Sequence, residues 1–283
     1  MYSNTLVSTE ELAQHLDDPN WVVFDCRFTL TDPEGGRRAY QAGHIPGARY
    51  AHLDEDLSGP VVPGVTGRHP LPDPEVLAKK LCQWGVGVNR QVVVYDDSFG
   101  SMAVRMWWLL RWLGHPAVAL LDGGYPKWLR EHHPVTAALP EVQKMPCACL
   151  PERSLWVDVD QVQQALASGD ALVIDARVER RFTGEYEPLD PVAGHIPGSI
   201  NWSFEENLDI DGTFLPPEAL RENYQALLKG RVPAQVIHTC GSGVTACHNL
   251  LAMEVAGLPG SRLYPGSWSE WITDPRRPVA TGE

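Results

Sequence analysis

Cys240 closes the β-branched run Val236-Ile237-His238-Thr239 and is followed by Gly241-Ser242-Gly243. From Val244 onward, apolar residues recur at helical spacing through Ala256, so this stretch is expected to be a helix. The thiol is thereby delivered to a strand-to-helix turn. The N–H groups of such a turn, and of the first helical turn after it, have no partner in their own segment. Those of Gly241, Gly243, Val244 and Thr245 are expected to converge on the sulfur and favour its anion. A cysteine so held falls below its free value of about 8.5 and becomes a nucleophile at neutral pH.

Other readings of the same residues are weighed against this one. A cysteine is often just a small buried hydrophobe. Gly241-Ser242-Gly243-Val244-Thr245-Ala246 also fits a dinucleotide-binding glycine pattern. That pattern needs a later strand with an acidic residue about 20 positions on. Here Leu258-Pro259-Gly260 intervenes and Glu254 still lies in the expected helix. A cysteine phosphatase loop carries an arginine six residues after the cysteine, to clamp the phosphate dianion. The residue there is Ala246.

Two copies of one unit are expected to position this turn. Val22-Val23-Phe24-Asp25-Cys26-Arg27 recurs as Val173-Ile174-Asp175-Ala176-Arg177, and Gly43-His44-Ile45-Pro46-Gly47 as Gly194-His195-Ile196-Pro197-Gly198. Val92 to Asp96 matches Val236 to Cys240, and Asp122-Gly123 to Trp128 matches Pro265-Gly266 to Trp271. Four matched blocks in the same order mark an internal repeat. The stretch between the copies holds Pro134, Pro140, Pro146 and Pro151, a density that breaks helices and sheets. The expected division is residues 1–135, a linker at 136–151, and residues 152–283. In the first copy the cysteine's place is taken by Asp96, so that copy is expected to be inactive.

Within the first copy, residues 21–24, 92–95 and 118–121 read as buried strands, and 9–16, 74–84 and 101–113 as helices. Ser8 before Glu11 reads as a capped helix start. Strands alternating with helices imply an α/β fold, each domain a mostly parallel sheet flanked by helices. Such folds bind ligands at the carboxyl ends of strands, where Cys240 stands. His44 and His195 recur in both copies, including the one without a cysteine, so both are expected to hold backbone rather than to react.

The formal charge is −13, from 23 basic and 36 acidic residues. That disfavours nucleic acid and anionic membranes as partners. No stretch is apolar and long enough to span a bilayer; residues 102–113 come nearest but contain Arg105 and Arg111. The first residues carry no secretory pattern, and six cysteines show no paired framework. A cytoplasmic location is expected. Cys147 and Cys149 form a C-x-C without a nearby second pair, so no zinc site is expected. Cys247, two helical turns after Cys240, reads as a packing residue, with a resolving role for an oxidised Cys240 as the alternative.

Both Gly-His-Ile-Pro-Gly blocks, both Asp-x-Arg strand ends, Leu121 to Trp128 and Tyr264 to Trp271 together resemble the tandem-domain rhodanese family of sulfurtransferases. The resemblance covers essentially the whole chain. It implies two rhodanese-like domains, a persulfide on Cys240, and no metal or organic cofactor. Thiosulfate-using members tend to carry cationic residues directly after the cysteine; the neutral loop here looks like the 3-mercaptopyruvate type. That type implies a relay of Ser242, His69 (in Gly67-Arg68-His69-Pro70) and Asp54, and a carboxylate-binding arginine at Arg181. A second arginine often follows Glu-Pro in that type, but this chain reads Glu187-Pro188-Leu189-Asp190. Arg105 is the expected substitute, a salt bridge to Asp96 or Asp97 being its alternative role. The implied reaction moves sulfur from 3-mercaptopyruvate to a thiol, such as a thioredoxin-like dithiol, or to cyanide. The alternatives are a thiosulfate:cyanide sulfurtransferase and, in another class, a persulfide carrier or regulatory binding module without turnover.

Overall fold

The structure, a computed structural model, describes residues 2–146 and 149–282. It divides into two compact units. The first comprises Met1–Gly59, Pro72–Glu152 and Asp209–Phe214; the second comprises Pro60–Leu71, Arg153–Leu208 and Leu215–Glu283. The sequence division at 135 and 152 therefore differs from the compact units in three places. Residues 136–146 and 149–152 group with the first unit: Thr136 pairs with His44, the Met145 amide donates to the Cys82 carbonyl, and the Leu150 amide donates to the Leu113 carbonyl. Residues 60–71, from the first repeat, group with the second unit, and residues 209–214 with the first. Residues 60–71 contain Pro60, Pro63, Gly64, Gly67 and Pro70, so they form no helix or strand of their own and take their place from what their side chains meet. Of the C-x-C pair, Cys147 lies outside the described residues.

The first unit runs β1 (Leu6–Val7), α1 (Thr9–Gln14), β2 (Trp21–Asp25), α2 (Gly35–Ala42), β3 (Arg49–Tyr50), α3 (Pro74–Gln83), β4 (Gln91–Tyr95), α4 (Ala103–Trp112), β5 (Val118–Leu121) and α5 (Gly124–Arg130). Its five strands lie parallel in the order β1-β5-β4-β2-β3. The second unit runs α6 (Val159–Ser168), β6 (Leu172–Asp175), α7 (Glu179–Phe182), β7 (Ile200–Asn201), α8 (Pro217–Leu228), β8 (Val236–Thr239), α9 (Ala246–Val255), β9 (Arg262–Leu263) and α10 (Ser267–Trp271). Its sheet is also parallel, in the order β7-β6-β8-β9. Central strands buried on both faces need continuous apolar runs. β4 is buried throughout, and β8 as well. Val23, Val93, Ala119 and Trp128 meet in one core; Val173, Ile237, Tyr264, Trp268 and Trp271 meet in the other. Each buried valine or isoleucine among them stabilises its unit by about 1.5–3 kcal/mol relative to exposure.

The repeated motifs have a common mechanical role. Arg27 folds back on Asp25 at the end of β2 (Nη2 to Oδ2 2.6 Å) and also donates to the Gly43 carbonyl. Arg177 does the same with Asp175 (2.7 Å) and the Gly194 carbonyl. His44 and His195 are buried, with Nδ1 on the carbonyls of Tyr40 and Phe182 respectively, and each stacks on that same aromatic ring. Both histidines thus tie loop backbone in place, as their recurrence suggested. Ser8 caps α1 by accepting the Glu11 amide. Among the described residues no helix is long and apolar enough to cross a membrane.

Candidate active site

β8 ends at Thr239, and Cys240 follows at its carboxyl end with 1 % of its surface exposed. The helix expected from Val244 begins two residues later, at Ala246. Gly243 takes φ +75°, a left-handed conformation that glycine adopts without steric cost. A side chain there would also strike the Pro265 carbonyl oxygen, 2.3 Å from its first carbon. The loop therefore wraps Cys240, and the Gly243 amide donates to Sγ at 3.2 Å. Of the expected convergent amides, Gly243 supplies this bond. The carbonyls of Val244 and Thr245 accept from the amides of Cys247 and His248 as α9 begins.

The start of α10 holds the loop from the other side. The Trp268 and Ser269 amides donate to the carbonyls of Cys240 and Gly241, at 3.0 and 2.9 Å. The Ser267 hydroxyl accepts from the Cys240 amide at 3.1 Å and donates to the Tyr264 carbonyl. Ser267 is fully buried at φ +54°, a costly conformation for a residue with a side chain, and these two bonds hold it there. Sequence reasoning noted its motif and missed this role.

Ser242 and His69 are brought together. The Ser242 hydroxyl lies 2.7 Å from His69 Nδ1, with both residues buried. His69 arrives on residues 60–71, which explains why that segment belongs to the second unit. Asp54 and Arg105 belong to the first unit. Asp54 is exposed, and its amide donates to His52 Nδ1. Arg105 sits on α4, fully buried, with Nε on the Leu57 carbonyl.

Arg181, on the short α7, is gripped by Glu187 through four N–H···O contacts of 2.8–3.2 Å and by Asp190 at 3.1 Å. Glu187 is itself buried and also accepts the amides of Leu189 and Asp190. Arg177 stands behind them. Burial works against its charge, but Asp175 and then Glu187 outweigh that and raise its pKa. Arg68, next to His69 in sequence, joins the same cluster: Nη1 lies 2.6 Å from Asp190 Oδ1, and its amide donates to Ser269 Oγ. Sequence reasoning missed Arg68, Glu187 and Asp190; the one signal available was that Arg68 adjoins a residue already singled out. Three guanidiniums and three carboxylates make this cluster neutral overall.

The first unit carries the matching loop. Asp96 follows β4, and Phe99 at φ +59° stands where the second unit has Gly243. The Asp96 carboxylate accepts from the amides of Ser98, Gly100, Met102 and Ala103, each at 2.8 Å. Burial nevertheless pushes this carboxyl above its usual range, against the pull of the four amides.

A family model for the rhodanese-like domain matches residues 8–131 and 158–274. Over 284 residues the chain is 52% identical to the probable 3-mercaptopyruvate sulfurtransferase of Pseudomonas aeruginosa, with all of both chains covered. It is 35% identical over 278 residues to the thiosulfate sulfurtransferase of Bos taurus, covering 94% of this chain and 91% of that one. Among solved structures, the 3-mercaptopyruvate sulfotransferase SseA of Escherichia coli matches with a TM-score of 0.79 at 33% identity, covering 94% of this chain and 99% of that one. With a neutral loop around a strand-end cysteine, a repeat that recurs as structure, and matches over both halves, this chain belongs to the rhodanese family, with the domain present twice in tandem.

Proposed function

We propose that this protein is a sulfurtransferase that moves a sulfane sulfur from 3-mercaptopyruvate, through a persulfide on Cys240, to a thiol or cyanide acceptor. The observation that carries this reading is the Cys240 loop, with Sγ accepting an amide hydrogen and a hydroxyl–imidazole pair two residues away. The Cys240 thiolate attacks the sulfur of the donor. The carbon–sulfur bond breaks, and its electron pair passes to carbon as the enolate of pyruvate. Ser242, backed by His69, delivers the proton that completes pyruvate. The second step is attack by a thiolate or cyanide on the outer sulfur, which returns Cys240 as thiolate. This is covalent catalysis in two half-reactions, with ping-pong kinetics expected. It consumes no external oxidant or reductant, and a reducing, cytoplasmic setting would keep Cys240 ready. No step is assigned to Asp54 or Arg105.

The charge balance favours a monoanionic donor. The arginines around the loop are matched one for one by Asp175, Glu187 and Asp190. Little net positive charge is left for a dianion such as thiosulfate. The relatives named for both activities keep thiosulfate as the second reading, and the two guanidiniums of Arg68 and Arg181 near the loop are the observation in its favour.

Intact mass after exposure to 3-mercaptopyruvate tests the proposal. A gain of about one sulfur, with pyruvate released and no gain in Cys240→Ser, is the expected result. Faster sulfur loading from thiosulfate would overturn the donor assignment. Loading without turnover to any acceptor would favour a persulfide carrier.

A further inference from the structure

The geometry points to Arg68 as a second donor-binding residue, placed with Arg181 to take the carboxylate of 3-mercaptopyruvate beside Gly241; this rests on the donor reading above. The two guanidiniums converge on one spot. A methyl group added at Gly241 would lie 3.2 Å from Arg68 Nη2 and 3.5 Å from both Nη1 and Nη2 of Arg181. Gly241 is the residue immediately after the nucleophile, so the two guanidiniums stand next to the reacting sulfur. A side chain there would crowd them, and its absence lets both approach the backbone beside Cys240.

Arg68 also has binding capacity to spare. Asp190 accepts from its Nη1, but its Nε is buried with no partner among the described residues. A buried donor left unmet is costly, and a ligand that accepts from it recovers that cost. Nε and Nη2 form one edge of the guanidinium, the edge that pairs two-to-two with a carboxylate. Asp190 is the positioning residue. Its side chain is 3 % exposed and bridges Arg68 and Arg181 with one oxygen each, which sets the spacing between the two cations. The position after Pro188 that lacks an arginine, Leu189, is thus compensated from elsewhere. The chain has a carboxylate at 190 instead, and that carboxylate recruits Arg68 from residues 60–71.

The test compares two donors that differ only at the proposed contact: 3-mercaptopyruvate, and mercaptoacetone, in which a methyl group replaces the carboxylate. Arg68→Met keeps the length of the side chain and removes the fork. It is expected to raise KM for 3-mercaptopyruvate about 10- to 100-fold with kcat within about 3-fold, and to leave kcat/KM for mercaptoacetone unchanged. Arg68→Lys keeps the charge without the fork and is expected to fall between, so that a poorly folded Met variant does not decide the matter. Asp190→Asn is expected to raise KM for 3-mercaptopyruvate alone, and by less. Equal losses on both donors, or no loss on 3-mercaptopyruvate, would overturn the assignment while leaving the donor reading intact. Wild-type protein that turns over thiosulfate and not 3-mercaptopyruvate would sink the donor reading, and the carboxylate assignment with it.

Discussion

The loops after β4 and β8 stand at matching places in the two units and hold different atoms. Both pass through a left-handed residue three positions after the strand-end side chain, Phe99 in one and Gly243 in the other. In the first unit the loop encloses its own carboxylate: Asp96 reaches far enough for two oxygens to collect four amides. In the second, the shorter Cys240 side chain meets one amide at 3.2 Å. The comparison teaches that the turn is a cradle of amide donors around the strand-end side chain in both units. One unit fills it with its own carboxyl group. The other stops one atom short, because a cysteine side chain ends one atom sooner than an aspartate. The surroundings diverge in the same sense. Ser242, two residues after Cys240, is hydrogen-bonded to His69, whereas Ser98, at the place of Ser242, is hydrogen-bonded to Ser101.

The sharpest way to break this comparison is to move the nucleophile. Cys240→Ser is expected to lower turnover at least about 1,000-fold, and adding Asp96→Cys to it should restore neither turnover nor sulfur loading. Recovery, read by mass and pyruvate release, would mean that the cradle alone suffices. Next in size, Ser242→Ala should lower kcat with 3-mercaptopyruvate by about 100- to 1,000-fold. Turnover with thiosulfate should hardly change, because leaving sulfite needs no proton; an equal fall on both donors would remove the proton-delivery role. Asp96→Ala removes the acceptor of four amides, those of Gly100 and Ala103 being buried. It should destabilise the protein by about 2–4 kcal/mol in denaturant melts while leaving Cys240 able to load sulfur.

The smallest effect concerns His238, which stands in β8 where the first unit has Val94. Burial lowers its pKa to about 3, and its Nε2 faces the Met253 sulfur at 3.2 Å. In the unfolded chain the value is about 6.5, so between those values only the unfolded state takes up the proton. Stability from this site is therefore full above pH 6.5 and is lost as pH falls toward 3, by about 2 kcal/mol at pH 5. His238→Val should flatten the stability profile between pH 7 and 5. An unchanged slope would show that other groups carry the acid sensitivity.

Much of the fold could be read in advance because its signals are local. The strands at 21–25, 91–95 and 118–121 are short apolar runs, and the helices near 9, 74 and 103 carry caps or helical spacing. The paired motifs were legible for the same reason: an arginine two residues after an aspartate is close enough to fold back on it. α9 starts two residues past the beginning of its apolar run, and the need for glycine at 243 is set by Pro265, far away in sequence. Arg68 was invisible for a related reason. Its meaning depends on Asp190, 122 residues away, and nothing in the local sequence records that distance.

The amino-acid sequence by itself determined the repeat, the parallel α/β units, the cysteine at the end of the second unit's central strand and its replacement by aspartate in the first copy. These follow from residue type and short spacing, which act through neighbouring backbone. Only the tertiary structure decided that residues 60–71 join the second unit, that His69 meets Ser242, and that Arg68 and Arg181 flank Gly241. Those contacts are set by long-range packing of loops, where charge pairing and hydrogen bonds choose among conformations that local sequence leaves open.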